Sequence, residues 1–485
     1  MISSDDFINV YRSRNFEAYQ ACLRVLAHNE IAGQDLRKPV NVSWHRDDDI
    51  PPLAWLCKST PDKTQFVLGS QVEKFGDTFF EGVWDGPVHK AMFRESANFF
   101  GTGCSLLRNI LFTPPRHCFD ALYVATCDGV SYVTNSMALA IRLALPDIDD
   151  EALRDLAIVL KKHSDDSSAL GADLAQTFAT KLDGWAFYRV MYHNFSLSAD
   201  GVPLRRFHLE QKPNLTFATY RRNLRRVAKR LSRNAKSRRR KFPLGVVSTI
   251  SNGYDSTACT AIAKAAGCKL AHTITGDVRG RSDSGEEVGA QLGIKVKAHR
   301  HILKSSDRSL SLHLDEEALA YASEFLATSG FGDDVVYASF ERDIQNCVVF
   351  EGSFGDGIWA KKLRTGPGLP TGLRTAKSKN EFHLRNGTIF VPLPVVGAKF
   401  VQAIRRVLRQ PDMKPFFLDV PYDRPIPRRI VEEAGGKREA FGQRKGATAP
   451  TPQNLEPQLA GAFRTVMKRY QSLVSYLDAD TPKRG

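Results

Sequence analysis

Between Val246 and Gly267 the chain reads VVSTISNGYDSTACTAIAKAAG: a β-branched run, a polar turn carrying a carboxylate, then a stretch of helix formers. A buried strand that runs through such a turn into a helix is half of a β-α-β unit, and it commits the region to parallel pairing. The same rhythm continues downstream. CKLAHTITG reads as a second strand, SGEEVGAQLG as a helix, IKVKAHRHI as a third strand and NCVVFEGSFGDG as a buried strand ending in glycines. That alternation predicts a parallel α/β sheet.

The first part of the chain has a different texture. FDALYVATCDGVSYVTNS alternates about a Cys-Asp-Gly turn and predicts a β-hairpin, and DDEALRDLAIVLKK after it predicts a helix with an acidic start. The expected fold is therefore α/β overall, with a strand-rich α+β domain over residues 1–205 and a parallel-sheet α/β domain over residues 206–485. GPGLPTGLRTAKSKNEF, residues 366–382, is expected to be a mobile loop.

No apolar run is long enough for a membrane span, and the opening MISSDDFINVYRSRNF lacks the apolar core of a signal peptide. The eight cysteines are scattered without a CxxC pair, which predicts reduced thiols and a cytoplasmic setting. The net charge of +15 is concentrated in RRNLRRVAKRLSRNAKSRRRK, from Arg221 to Lys241. There Leu224, Val227 and Leu231 recur at helical spacing, predicting an amphipathic helix docked by one stripe. Its polar face suits an acidic partner or substrate. No nucleic-acid-binding signature accompanies it, so nucleic acid is not expected as a partner. An oligomer is compatible with the sequence.

The turn itself has a chemistry. At the carboxyl end of a parallel strand, backbone N–H groups and the helix N-terminus converge to attract an anion. Gly253 offers backbone freedom, and Ser251 and Ser256 offer hydroxyls. Asp255 would repel a bare phosphate, so the turn predicts a magnesium-bound polyphosphate. It has neither the Walker nor the dinucleotide glycine pattern. A plain strand–helix connection capped by Asp255 is the bland alternative.

SNGYDS resembles the Ser-Gly-Gly-x-Asp-Ser loop of the N-type ATP pyrophosphatases (the PP-loop), with Asn252 in place of the first glycine. Two further stretches are similar to one branch, the asparagine synthetase family, which includes β-lactam synthetases and lasso-peptide cyclases. CVVFEGSFGDGIW (347–359) resembles that family's Gly-Glu-Gly-Ala-Asp-Glu segment, and IPRRIVEEAGGKREAFGQRKG (426–446) its lysine-bearing C-terminal segment. LYVATCDGVSYVTNSMALAIRLALPDIDDEALRDLA is similar to the end of the family's glutaminase domain, an Ntn-hydrolase fold.

The resemblance implies roles. Ser251, Asn252, Gly253, Asp255 and Ser256 would cradle the pyrophosphate part of ATP, and Asp255 and Asp356 would hold Mg2+. Ile250, Thr275 and Gly352 would lie against the adenosine. Lys437 would neutralise charge as a carboxylate attacks the α-phosphate. The implied reaction forms an acyl-adenylate, releases pyrophosphate and lets an amine make an amide.

Two departures narrow the expectation. Glutamine-dependent members carry a nucleophilic cysteine after Met1, whereas this chain begins Met-Ile-Ser-Ser, so the N-terminal domain is expected to lack glutaminase activity. The carboxylate would be a small molecule or a peptide, and the amine would then come from ammonia or from an amine-bearing substrate, with ring closure as one outcome. Ser353 stands where asparagine synthetases have Glu and β-lactam synthetases Tyr, and serine is a poor base at neutral pH. Either Glu351, Tyr337 or Glu341, nearby in sequence, takes the role, or the amine arrives already nucleophilic. His272 and His301 read as sheet-end residues, not ligands. The competing expectations are a PP-loop enzyme modifying nucleotides or tRNA, and a catalytically silent regulatory homologue.

Overall fold

The computed structural model describes residues 35–88, 98–106, 109–117, 120–156, 178–205, 214–276, 282–301, 323–328, 332–361, 379–443 and 456–479. Strands β1 to β13 fall before residue 206: Val42–Asp47, Trp55–Ser59, Thr64–Gly69, Glu73–Phe75, Thr78–Trp84, Phe99–Leu106, Ile110–Thr113, Leu122–Cys127, Val130–Thr134, Phe178–Leu182, Trp185–Val190, Phe195–Leu197 and Pro203–Arg205. They form one sheet in the order β1-β3-β2-β9-β8-β11-β10 and another in the order β13-β12-β7-β6-β5-β4. The expected hairpin is β8–β9, paired antiparallel from Tyr123↔Thr134 to Cys127↔Val130.

The two-residue period of a strand explains how these sheets stack. Trp55, Cys57, Phe66, Leu68, Leu122 and Val124 point into one apolar cluster with Phe79, Cys104 and Phe112 of the second sheet. Leu56, Val67, Tyr123 and Ala125, the residues between them, point to the other face and join a second cluster with the helix Met137–Ala144. Both faces of the first sheet are thus covered. The expected helix after it is seen at residues 150–156, and the rest of that stretch lies outside the described residues.

The later half holds β14 (Gly245–Thr249), β15 (Leu270–Ile274), β16 (Lys295–His299), β17 (Cys347–Glu351) and β18 (Ile389–Pro392). They make a five-stranded sheet in the order β16-β15-β14-β17-β18, parallel at every pairing. The chain winds outward from β14 through β15 to β16, then crosses to β17 on the other side of β14. The order therefore reverses between β14 and β17. In open parallel sheets the crevice beyond the carboxyl ends at such a reversal is where ligands bind.

The basic helix runs from Phe217 to Ala235, with Thr216 and Thr219 forming a reciprocal N-terminal cap. Leu224, Val227 and Leu231 are 0–1% exposed, so the predicted stripe is the docking face. Each contributes about 1.5–3 kcal/mol by leaving water. Arg222, Arg226, Lys229, Arg230 and Arg233 are exposed. Arg221 pairs with Glu433, and Arg240, beyond the helix, is buried against Glu73 of β4 at 2.9 Å. Part of the basic segment is therefore spent on internal acids.

One expectation is corrected. The loop assigned to 366–382 ends early: residues 366–378 lie outside the described residues, but Lys379, Asn380, Glu381 and Phe382 are all under 5% exposed. They begin the helix Asn380–Asn386, whose Glu381 accepts from Ser136 Oγ at 2.6 Å and Tyr470 Oη at 2.9 Å. Counting Gly, Pro, Lys and Ser missed this because the residues are ordered by partners 89 and 245 positions away. Among the described residues no helix is long and apolar enough to cross a membrane.

Candidate active site at the carboxyl edge of the parallel sheet

The turn after β14 behaves as its residues dictate. Ile250 is 3% exposed and donates its N–H to the carbonyl of His272, continuing the sheet. The chain then turns at Asn252 and Gly253 into the helix Tyr254–Ala265. The first N–H groups of a helix have no intrahelical acceptor, and at twelve residues this helix adds a full N-terminal dipole. Ser251 Oγ lies 2.7 Å from Ser256 Oγ and accepts from the Gly253 N–H at 3.1 Å. Two hydroxyls and the helix start thus face one spot.

Gly253 corrects an expectation. Its φ of −78° and ψ of 173° are open to any residue, so backbone freedom is not its contribution. A Cβ there would meet only Ser251 Oγ, at 3.2 Å. What glycine provides is clearance at the Ser251 hydroxyl.

The loop after β17 interlocks with this turn. A Cβ on Gly352 would lie 2.3 Å from the backbone nitrogen of Ser256, and one on Gly355 would lie 2.3 Å from Asp255 Cγ. Only glycine permits approaches that close. Between them Phe354 is held at φ +65°, a strained setting for a bulky residue that concentrates at functional sites. Asp356 follows, exposed, in the first turn of Gly355–Ile358. Gly352 therefore packs on the start of the turn helix, a tighter role than the expected contact with a nucleoside.

Arg424 links the two loops, and nothing in the sequence had singled it out. Its guanidinium pairs with Asp255 Oδ2 and stacks over Tyr422 at 5.3 Å. Burial disfavours its charge, but Asp255, Tyr422 and Asp356 outweigh burial and raise its pKa. In a chain with 68 Lys and Arg residues, nothing local marks one arginine before a proline as buried against a carboxylate. Next to it Arg428, fully buried, pairs with Asp423 at 2.7 Å and with Tyr254 Oη.

Asn252 points away from the hydroxyl pair. Its Nδ2 donates to the Ser282 carbonyl at 3.2 Å, and its own carbonyl accepts from the Gly442 N–H at 2.6 Å. Thr275 is exposed, with its N–H on the His299 carbonyl at 2.9 Å. Lys437 is not brought to the turn by its main chain: its N–H donates to Gln291 Oε1 at 2.7 Å, at the far end of the helix Glu286–Leu292. From the same C-terminal stretch it is Phe441 and Gly442 that touch Tyr254 and Asn252. Residues 444–446 of that stretch lie outside the described residues.

A second polar group sits beneath the β17 loop. Glu351 is 0% exposed and accepts from Lys379 Nζ at 2.8 Å and from Tyr337 Oη. Lys379 also pairs with Asp334 at 3.5 Å and lies over the rings of Tyr337 and Phe390. Burial opposes the Lys379 charge, yet Glu351 and Asp334 raise its pKa. Tyr337 is pushed far above its usual range by burial and by Glu351, while a hydrogen bond with Ser353 acts the other way. Ser353, half-buried, thus connects through Tyr337 to a carboxylate held by a buried ammonium. Glu341 is not part of this group; it pairs with Arg385 at 2.8 Å.

The chain matches no protein-family model, and no curated protein is similar to it in sequence.

Proposed function

We propose that the chain is an ATP- and magnesium-dependent enzyme that activates a carboxylate as an acyl-adenylate, releases pyrophosphate and forms an amide with an amine. The observation carrying this reading is the interlock of the β14 and β17 loops at the point where the strand order reverses. It brings two hydroxyls, a helix N-terminus and the Asp255–Arg424 pair together at the carboxyl edge of the sheet, with Asp356 on the adjoining loop.

The residues fit a magnesium polyphosphate. Asp255 and Asp356 come from both loops, and both act on the single guanidinium of Arg424, so the crevice already gathers hard oxygen donors around a cation. Magnesium bound there supplies charge neutralisation as pyrophosphate departs. Ser251, Ser256 and the N-terminal amides of Tyr254–Ala265 orient phosphate oxygens, and Arg424 turns from Asp255 towards them. The chain Ser353–Tyr337–Glu351 leads a proton away from the attacking amine, and Lys379 holds the Glu351 side chain in place at the end of that chain. Lys437 would reach the pyrophosphate only by its side chain. The two-sheet N-terminal half is read as a glutaminase-like fold, and the amine is read as coming from an amine-bearing substrate.

The Asp255–Arg424 pair itself favours a second reading, a silent regulatory homologue in which the arginine stands in for the metal. Exchange of labelled pyrophosphate into ATP, with panels of small-molecule and peptide carboxylates, separates the two. Carboxylate-dependent exchange that needs magnesium supports the enzyme; none with any carboxylate, in a protein that still binds ATP, supports the silent homologue.

A further inference from the structure

The outer strands of the parallel sheet, β15 and β16, carry a second constellation. His272 on β15 and His299 on β16 stand on one face, because His272 pairs with Lys297 and Ile274 with His299. The short helix Glu341–Ile344 lies over that face and adds Asp343. One nitrogen from each histidine and one carboxylate oxygen all lie within 4.8 Å of one another. The three residues are far apart in sequence and sit on three separate elements.

From this geometry we infer a site for one divalent transition-metal ion of the zinc class, held by His272, His299 and Asp343. The closest pair of donors, His272 Nδ1 and His299 Nε2, is 3.0 Å apart. Two imidazole nitrogens bound to one zinc at about 2.0–2.1 Å stand only slightly farther apart than that. The carboxylate is divided between two duties. Lys297 Nζ takes Oδ1 at 2.5 Å, while Oδ2 faces His299, 3.9 Å from Nδ1. One atom of each residue lies within 4.8 Å of the others, and a side-chain rotation of Asp343 is what would bring its carboxylate onto an ion bound to both rings.

Two further observations favour a ligand over a closed hydrogen-bond network. His272 is 1% exposed, and its Nε2 is buried without a hydrogen-bond partner. The ring is therefore placed by its Nδ1 contact with His299 Nε2 and by packing. Phe340 supplies that packing: it stacks on His272 at 5.6 Å and 4°, and tilts against His299 at 5.2 Å. An apolar wall that fixes ring orientation and lowers the local dielectric is what surrounds bound metals.

The donor set decides the metal class. Two imidazoles and one carboxylate suit zinc, cobalt, nickel or iron, whereas magnesium prefers oxygen alone. The site is thus separable from the magnesium crevice and stands whether or not that reading holds. Three protein ligands leave a fourth position for water. An ion here ties β15 and β16 to residues 332–344, the segment that carries Tyr337.

The test uses the whole chain freed of metal by chelator and dialysis, titrated with Co2+ and with Zn2+. The expected result is one ion per chain, a tetrahedral cobalt visible spectrum, a rise in melting temperature with zinc, and no competition from a large excess of magnesium. H299Q and D343N, on partly exposed side chains, should each weaken zinc binding at least about tenfold and abolish the thermal shift. The wild-type cobalt spectrum reports even if a variant misfolds. The inference is overturned if wild-type chain binds neither ion, if both folded variants bind zinc as tightly as wild type, or if the spectrum shows a thiolate charge-transfer band that puts the ion on cysteine.

Discussion

Glu73 and Glu81, in the N-terminal sandwich, and Asp255 and Asp356, at the rim of the parallel sheet, are all carboxylates facing cationic partners, but their surroundings differ. Glu73 and Glu81 are 3% and 2% exposed. Their oxygens are saturated: Glu73 by Arg240 and the Lys241 N–H, Glu81 by His383 and both donors of Thr102. Asp255 is half-buried and Asp356 exposed, and one guanidinium serves both. The sandwich carboxylates join the two halves of the chain and leave nothing over for a ligand. Those at the rim share one cation that can be exchanged. Enclosure marks structure; access beside an exchangeable cation marks chemistry.

The largest effect should come from breaking the enclosed pair. Arg240 donates to Glu73, to the Gly82 carbonyl at 2.7 Å and to the Asn234 carbonyl at 2.9 Å. Arg240→Ala strands a buried carboxylate and should cost about 3–5 kcal/mol, read by urea unfolding. A loss under about 1 kcal/mol, the range of an exposed pair, would erase the contrast between enclosed and rim carboxylates. At the rim, Asp255→Asn should leave the far-ultraviolet spectrum unchanged and slow pyrophosphate release by roughly a hundredfold to a thousandfold. Unchanged release would take Asp255 out of the chemistry.

Acidity gives a third contrast. His383 Nδ1 faces the Thr388 carbonyl at 2.6 Å and Nε2 faces Glu81 at 3.0 Å, so both ring nitrogens need a proton. Burial opposes the charge, but Glu81 and these bonds raise its pKa to about 9. A folded-state pKa above the unfolded value near 6.5 gives stability that is complete below about pH 6.5 and lost as pH rises through 9. The loss should be on the order of 3 kcal/mol between those limits and absent in His383→Gln. Equal pH profiles for the two proteins would refute the charged pair.

How far the sequence shows these sites depends on the range of the interactions that build them. The β14 turn could be read because strand period, turn residues and helix start are local. The parallel sheet followed from repetition of that unit. Glu351 and Tyr337 could be named from their nearness to Ser353, but Arg424 and Lys379 could not be read, because each is defined by burial against residues tens to hundreds of positions away. Gly352 was found through its motif, but its reason, contact with Ser256, needed two loops in three dimensions.

That contact supplies a smaller effect. A methyl group at Gly352 would press on the Ser256 amide with no flexible side chain to yield, so Gly352→Ala should cost about 1–3 kcal/mol of stability. It should also weaken ATP binding, because the displaced amide belongs to the anion site. Loss of stability with unchanged ATP affinity would assign Gly352 to packing alone.

Asn252 should matter least. Its amide reaches the Ser282 carbonyl, outside the space above Ser251 and Ser256, so it neither fills the phosphate position nor donates into it. Asn252→Gly removes that one hydrogen bond, a net contribution of about 0.5–1.5 kcal/mol, and frees the backbone. Pyrophosphate release should stay within about tenfold of wild type, with any loss appearing in KM for ATP as the turn loosens. If turnover at saturating ATP instead fell by roughly a hundredfold, the side chain must swing into the crevice when nucleotide binds, and the turn is remodelled by its ligand.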